Sequence, residues 1–234
     1  MAGATSLHGF ADEIWIAEGP VVSFFAFPYP TRMAVIRLGD GTLFVWSPVA
    51  LDDRLRAEVG ALGRVAHLVS PNWLHHLWLA DWKKAFPDAR LYAPPGLKRR
   101  RRHLKFDAAL DDAADNPWSG DIDTVAVRGN ILMTEFAFLH RKSRTAVFAD
   151  LLQNFGPDWF RGWRGVLARF DGIVSPNYGA PRELRWTTWR RAKAQATIET
   201  VLRFAPERVV VAHGDNASLH GTQFVRRGFR WLLG

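Results

Sequence analysis

The chain has 234 residues, 48% of them in the hydrophobic set, enough to bury the core of one large domain or two small ones. It has no cysteine, which excludes disulfides and thiolate metal sites and leaves His, Asp, Glu, backbone and water to hold any ion. Lys and Arg number 31 against 23 Asp and Glu, a net charge of +8 that either draws phosphate, nucleic acid or an anionic surface, or solvates an arginine-rich exterior.

No linker rich in Gly, Ser or Pro divides the chain, so one domain over 1–234 is expected. The first residues carry acids where a secretory leader carries bases. No apolar stretch reaches the roughly 18–20 residues that span a bilayer. A cytoplasmic protein without a membrane span follows as the expectation.

In chain order, short apolar runs at Ile14–Ile16, Val21–Ala26 and Met33–Arg37 predict strands. Gly39-Asp40-Gly41 marks a turn into another strand, Thr42–Ser47. A helix is expected over Asp52–Ala61, with an aspartate at its start and Gly63 beyond its end. Then come a strand at Val65–Ser70, a helix at Leu74–Ala85 and a strand at Ala89–Ala93. Pro95–Gly120 is polar and loop-like, with a basic run at Lys98–Arg102 and an acidic stretch at Asp107–Asp115. Strands resume at Ile122–Val127, Ile131–Phe138 and Thr145–Phe148. Trp159–Phe170 mixes Trp and Arg, as interfacial helices do and as helices packed over a sheet also do. A short strand at Gly172–Ser175, a helix at Thr187–Phe204, a strand at Val209–Ala212 and a helix at Thr222–Leu233 complete the reading. The order implies layered α/β architecture.

Three strand ends carry metal-capable side chains. His75 and His76 follow Val65–Ser70, Asp150 follows Thr145–Phe148, and His213 follows Val209–Ala212. Neighbouring side chains diverge on helices and strands alike, so His75 and His76 reach one ion together only at a strand-to-helix corner. Val69-Ser70-Pro71-Asn72 is echoed by Val174-Ser175-Pro176-Asn177, either by chance or because two related halves face one cleft. Glu135, in the hairpin, reads as an edge-strand carboxylate or as a support to the neighbour of Asp150, and His140 as part of an exposed turn.

From Val21 to Leu233 the pattern resembles the metallo-β-lactamase superfamily. Its signature after an apolar strand, T-H-x-H-x-D-H, falls on Ser70–His76. The first two histidines fall on Pro71 and Trp73, the aspartate on His75, and the last histidine on His76. Asp150 matches the superfamily's bridging aspartate, and His213 in VVVAHGD its final ligand. The turn at Gly129–Met133 lacks the expected histidine. The PN-x-x-HH motif resembles more closely a branch whose domain has no assigned function.

The resemblance implies an αββα four-layer sandwich with two mixed sheets. It implies one ion, Zn²⁺ or Fe²⁺, on His75, His76, Asp150 and His213, with Asp150 ligating it or orienting its water. A small ester, thioester, lactone or phosphoester is the implied substrate class, and Asn72, Asn177 and His140 the candidate substrate contacts. Two readings stand beside it. The lost ligands favour a metal-free pseudoenzyme that binds a ligand or partner in the cleft. The basic run favours a nucleic-acid binder through salt-dependent phosphate contacts, although such runs commonly form solvated loops.

Overall fold

The computed structural model describes residues 6–112 and 115–234. The reading of the first five residues, and Ala113 and Ala114 of the acidic stretch, lie outside the described residues.

The first sheet has seven strands in chain order: β1 (Leu7–Ala11), β2 (Ile14–Phe24), β3 (Phe27–Arg37), β4 (Leu43–Trp46), β5 (Val65–Val69), β6 (Arg90–Ala93) and β7 (Ala108–Ala109). Pairing is antiparallel from β1 to β4 and parallel from β4 to β7. The second sheet contains β8 (Ile122–Val127), β9 (Glu135–His140), β10 (Thr145–Phe148) and β11 (Arg208–Val211), in the order β11-β10-β9-β8. Its β10–β11 pair is parallel and the others antiparallel. Both sheets are therefore mixed, and the chain has the expected α/β sandwich.

Burial explains the layering. Ile14, Phe44 and Trp46 of the first sheet meet Phe136, Phe138, Val147 and Val210 of the second in the central layer. The outer face of the first sheet is covered by α1 (Asp53–Leu62) and α2 (Leu79–Ala85), through Leu55, Val59, Leu79 and Trp82. The outer face of the second sheet is covered by α6 (Arg191–Phe204), α7 (Gly221–Gly228) and α8 (Arg230–Leu233), through Ile198, Val201, Val225 and Leu232. The remaining helices are α3 (Leu97–Arg100), α4 (Trp163–Asp171) and α5 (Arg182–Trp186). Helix α1 starts at its expected cap, where the Asp52 carboxylate accepts from the Leu55 amide at 2.7 Å.

Several boundaries differ from the sequence expectation. The helix expected from Leu74 begins only at Leu79. Asn72 Oδ1 accepts from the Leu74 amide at 2.8 Å, and the Ser70 hydroxyl lies 2.6 and 2.7 Å from the carbonyls of Asn72 and His75. These local bonds fold 70–78 into an irregular corner, because short polar side chains compete with helical backbone bonding. Gly172–Ser175 makes isolated bridges rather than a strand. His140 ends β9 fully buried instead of standing in an exposed turn.

Candidate metal centre

At one edge of the two sheets, His75, Asp150 and His213 each offer a ligand atom, all within 4.8 Å of one another. His75 Nε2 lies 3.2 Å from Asp150 Oδ2, and His213 Nε2 lies 3.3 Å from Asp150 Oδ1. Asp150 and His213 are buried, and His75 is half-buried.

Each group is held from behind. His213 follows β11, and its Nδ1 donates to the Pro30 carbonyl at 2.7 Å. The next residue, Gly214, has φ +91, and a Cβ there would meet Asn154 O at 2.0 Å. Only glycine fits that turn. Buried Arg32 braces the same loop, donating to the carbonyls of Val211 and Gly214 and to Asn216 Oδ1. His75 Nδ1 pairs with the Ser47 hydroxyl at 2.7 Å, and Ser47, just past β4, adopts a left-handed φ of 50. Asn72, fully buried, donates through Nδ2 to Asp150 Oδ2 at 2.7 Å and to Glu135 Oε2 at 3.1 Å.

Glu135 is the anchor beneath the site. It accepts from the consecutive amides of Ala149, Asp150 and Leu151 at 3.0, 2.7 and 3.1 Å. It is fully buried at the start of β9, not an edge-strand carboxylate as its sequence position suggested. Burial pushes its carboxyl up, the charge of Asp150 adds to this, and the three amides oppose it. Burial alone would also raise Asp150. His75 and His213 beside its oxygens outweigh that and hold it well below the usual carboxylate range.

The donor set fits a cation. The Pro30 carbonyl is a pure acceptor, so His213 Nδ1 must carry hydrogen. A neutral His213 then aims the Nε2 lone pair at a carboxylate oxygen 3.3 Å away. Two acceptors face each other, and only a proton or a metal ion between them removes the conflict.

The other expected site residues are placed elsewhere. His76 turns from the cluster: its Nε2 accepts from Arg100 Nε at 3.2 Å, and its buried Nδ1 has no partner among the described residues. Burial, with Arg101 and Arg100 nearby, pushes its pKa down to about 4. The corner at 70–78 separates the two neighbouring rings. His140 pairs with the Ser143 hydroxyl at 2.8 Å, inside the second sheet and away from the cavity. Asn177 is exposed in a bridge with Val174 and does not line the cavity. The echo of Asn72 is therefore one of sequence only, for Asn72 alone lies under the cluster. Arg100 of the basic run stacks 4.6 Å over Trp73. Ser47 and Pro30 carried no sequence signal for a site role, and Glu135 only the weak one of its place in the hairpin before Asp150.

A cavity of about 440 Å³ opens over the cluster. Its walls are mostly apolar, with Phe24, Phe25, Trp73, Leu77, Trp78 and Met133 among them, and Arg100 and Glu183 add charge. Such a shape with few convergent polar groups is the usual form of a small-molecule site.

The model of a family described as a domain of unknown function, DUF4336, matches residues 11–159. No curated protein matches the chain. Among solved structures, the metal-soaked Flv1 flavodiiron core from Synechocystis sp. superposes with a TM-score of 0.65 at 10% identity. That match covers 97% of this chain and 60% of the other, so the chain spans less than two thirds of the flavodiiron core. DIM-1 metallo-β-lactamase superposes with a TM-score of 0.64 at 11% identity, covering 97% of both chains. A metallo-β-lactamase from Hirschia baltica gives 0.64 at 12%, again with 97% of both chains covered. At such identities the likeness is one of fold.

Proposed function

We propose, from the premise that this chain belongs to the DUF4336 family and has the metallo-β-lactamase fold, that its cleft is a one-metal hydrolytic site. His75, Asp150 and His213 would hold the ion. The observation carrying this reading is the convergence of His75, Asp150 and His213, whose ligand atoms lie within 4.8 Å of one another, with the Pro30 carbonyl on His213 Nδ1 leaving Nε2 to face Asp150 Oδ1. Two imidazoles and one carboxylate are a common donor set for an open catalytic zinc, and suit Fe²⁺ also.

When bound, the ion supplies Lewis acidity and a water acidic enough to attack near neutral pH. The chain's own residues do the rest. Pro30 and Ser47 fix the two rings. Asn72 and Glu135 hold Asp150, whose carboxylate would ligate the ion or orient the water. The apolar cavity excludes bulk water and selects a substrate with an apolar body. An ester, thioester, lactone or phosphoester of that kind is the proposed substrate, within one domain spanning the chain.

The test is a hydrolysis screen with aryl esters, thioesters, lactones and phosphoesters, run on metal-loaded and metal-stripped protein. Turnover should require metal and fall by at least about 100-fold in Asp150→Asn. A protein that binds metal yet hydrolyses none of these classes would sink the hydrolase reading. A protein that binds no metal would put in its place a metal-free cleft that holds a ligand or partner.

A further inference from the structure

Helix α4 turns its apolar stripe outward. Trp163, Val166, Leu167 and Phe170 share one helical face by their spacing. They are 55%, 66%, 43% and 69% exposed, while Gly165 and Ala168 face inward. Of the two readings of Trp159–Phe170, packing of its tryptophans over the sandwich does not hold for Trp163.

The patch extends on both sides. The Arg182 guanidinium lies 3.3 Å from the Phe170 ring centre and 5.3 Å from that of Trp186, joining α5 to the stripe. Trp186 and Trp189 are each more than two-thirds exposed. On the other side, Phe27 packs 5.6 Å from Trp163, and Arg164 donates to the Ala26 carbonyl at 2.7 Å. Those contacts tie α4 to the β2–β3 hairpin tip, where Phe25 is almost wholly exposed. Phe24 and Phe25 also line the cavity mouth, so patch and cavity are continuous.

The charge is one-sided. From Pro157 to Arg191 there are seven arginines and three acids. Arg164 and Arg169 donate to main-chain carbonyls rather than to carboxylates, while Arg182 pairs with Asp171 at 3.4 Å. A groove beside the hairpin is lined by Val21, Ala26 and Trp159 together with Arg161 and Arg164.

We propose that this face docks on an anionic lipid surface, with Trp163, Val166, Phe170 and Phe25 entering the headgroup boundary and Arg161 and Arg164 meeting lipid phosphates. Exposed Trp and Phe among arginines match the chemistry of that boundary. A second copy is a poor occupant, because a two-fold contact would set this arginine-rich face against itself. Among the described residues no helix is long and apolar enough to cross a membrane, so docking is peripheral.

The test is cosedimentation of the full chain with vesicles of phosphatidylcholine mixed with phosphatidylglycerol, beside phosphatidylcholine alone, with light scattering to follow self-association. The expected result is binding to the mixed vesicles that weakens with salt. Val166→Glu/Phe170→Glu and Arg161→Glu/Arg164→Glu should each reduce it by roughly tenfold or more, the first pair with an unchanged thermal midpoint because both side chains are exposed, the second with a small drop because Arg164 also holds the Ala26 carbonyl. No binding to mixed vesicles, equal binding to both kinds, or full retention in both double variants would overturn the proposal. So would self-association that Val166→Glu/Phe170→Glu abolishes while vesicles stay unbound.

Discussion

Glu135 accepts from three consecutive amides and from Asn72, so its carboxylate positions the backbone that presents Asp150. Glu135→Ala would leave those buried donors unpaired, a cost of about 3 kcal/mol or more. Glu135→Gln keeps one acceptor oxygen but turns an amide group toward main-chain N–H donors, so it should recover only part of that loss. Denaturant unfolding of both variants measures this, and a change under about 0.5 kcal/mol in Glu135→Ala would remove Glu135 from its anchoring role. At this scale His75, Asp150 and His213 were legible because each follows an apolar run that reads as a strand. Ser47 and Pro30 were not, because each acts on a residue far away in sequence, and Glu135 was only half legible, because the hairpin pattern did not show that it lies inside the sheet. The turning of His76 toward Arg100 was equally hidden, since it depends on the hydrogen bonds of Ser70 and Asn72 in the corner.

Among the elements, strands were read more faithfully than helix starts. Thr145–Phe148 stands as expected, and α1 begins one residue later than its expected start, with Asp52 as the cap. Strand β1 and helix α5 gave no clear periodic signal, and the C-terminal helix breaks at Phe229 into α7 and α8. The loop after β11 depends on one backbone position. Gly214→Ala combines a left-handed φ with a 2.0 Å approach to Asn154 O, so the loop must shift and carry His213 with it. A loss of more than about 2 kcal/mol is expected. Metal affinity should fall with it, although residue 214 offers no ligand. Calorimetric titration with Zn²⁺ measures that fall, and wild-type affinity in the variant would show that the loop does not position His213.

Over the whole molecule, the two sheets bury a layer that includes ionisable groups. His67 of β5 sits against Trp118 and Tyr92 in that layer, with its Nδ1 3.3 Å from the Tyr92 hydroxyl. Burial, with Arg90 adding to it, pushes its pKa down to about 4 from 6.5. The folded state therefore binds its proton less readily than the unfolded chain. The stability is fully present above pH 6.5 and is lost as pH falls toward about 4. Buried His140 shifts in the same direction. His67→Phe should flatten part of this acid slope, by at most about 2 kcal/mol after solvent screening. Unfolding midpoints at several pH values test the sign, and a steeper slope in His67→Phe would reverse it. The layer order itself was legible from the alternation of strand-rich and helix-rich segments. The outward face of α4 was not, because amphipathic spacing does not say whether an apolar stripe faces a sheet or solvent.

Elemental analysis of protein purified without chelator tests the central claim most directly, with His75→Ala, His213→Ala and His76→Ala measured alongside. About one ion per chain is expected in the wild type, as a three-ligand site implies. The ion should be lost in His75→Ala and His213→Ala and retained in His76→Ala. A wild-type protein without metal, or one whose ion survives both His75→Ala and His213→Ala, would contradict the account.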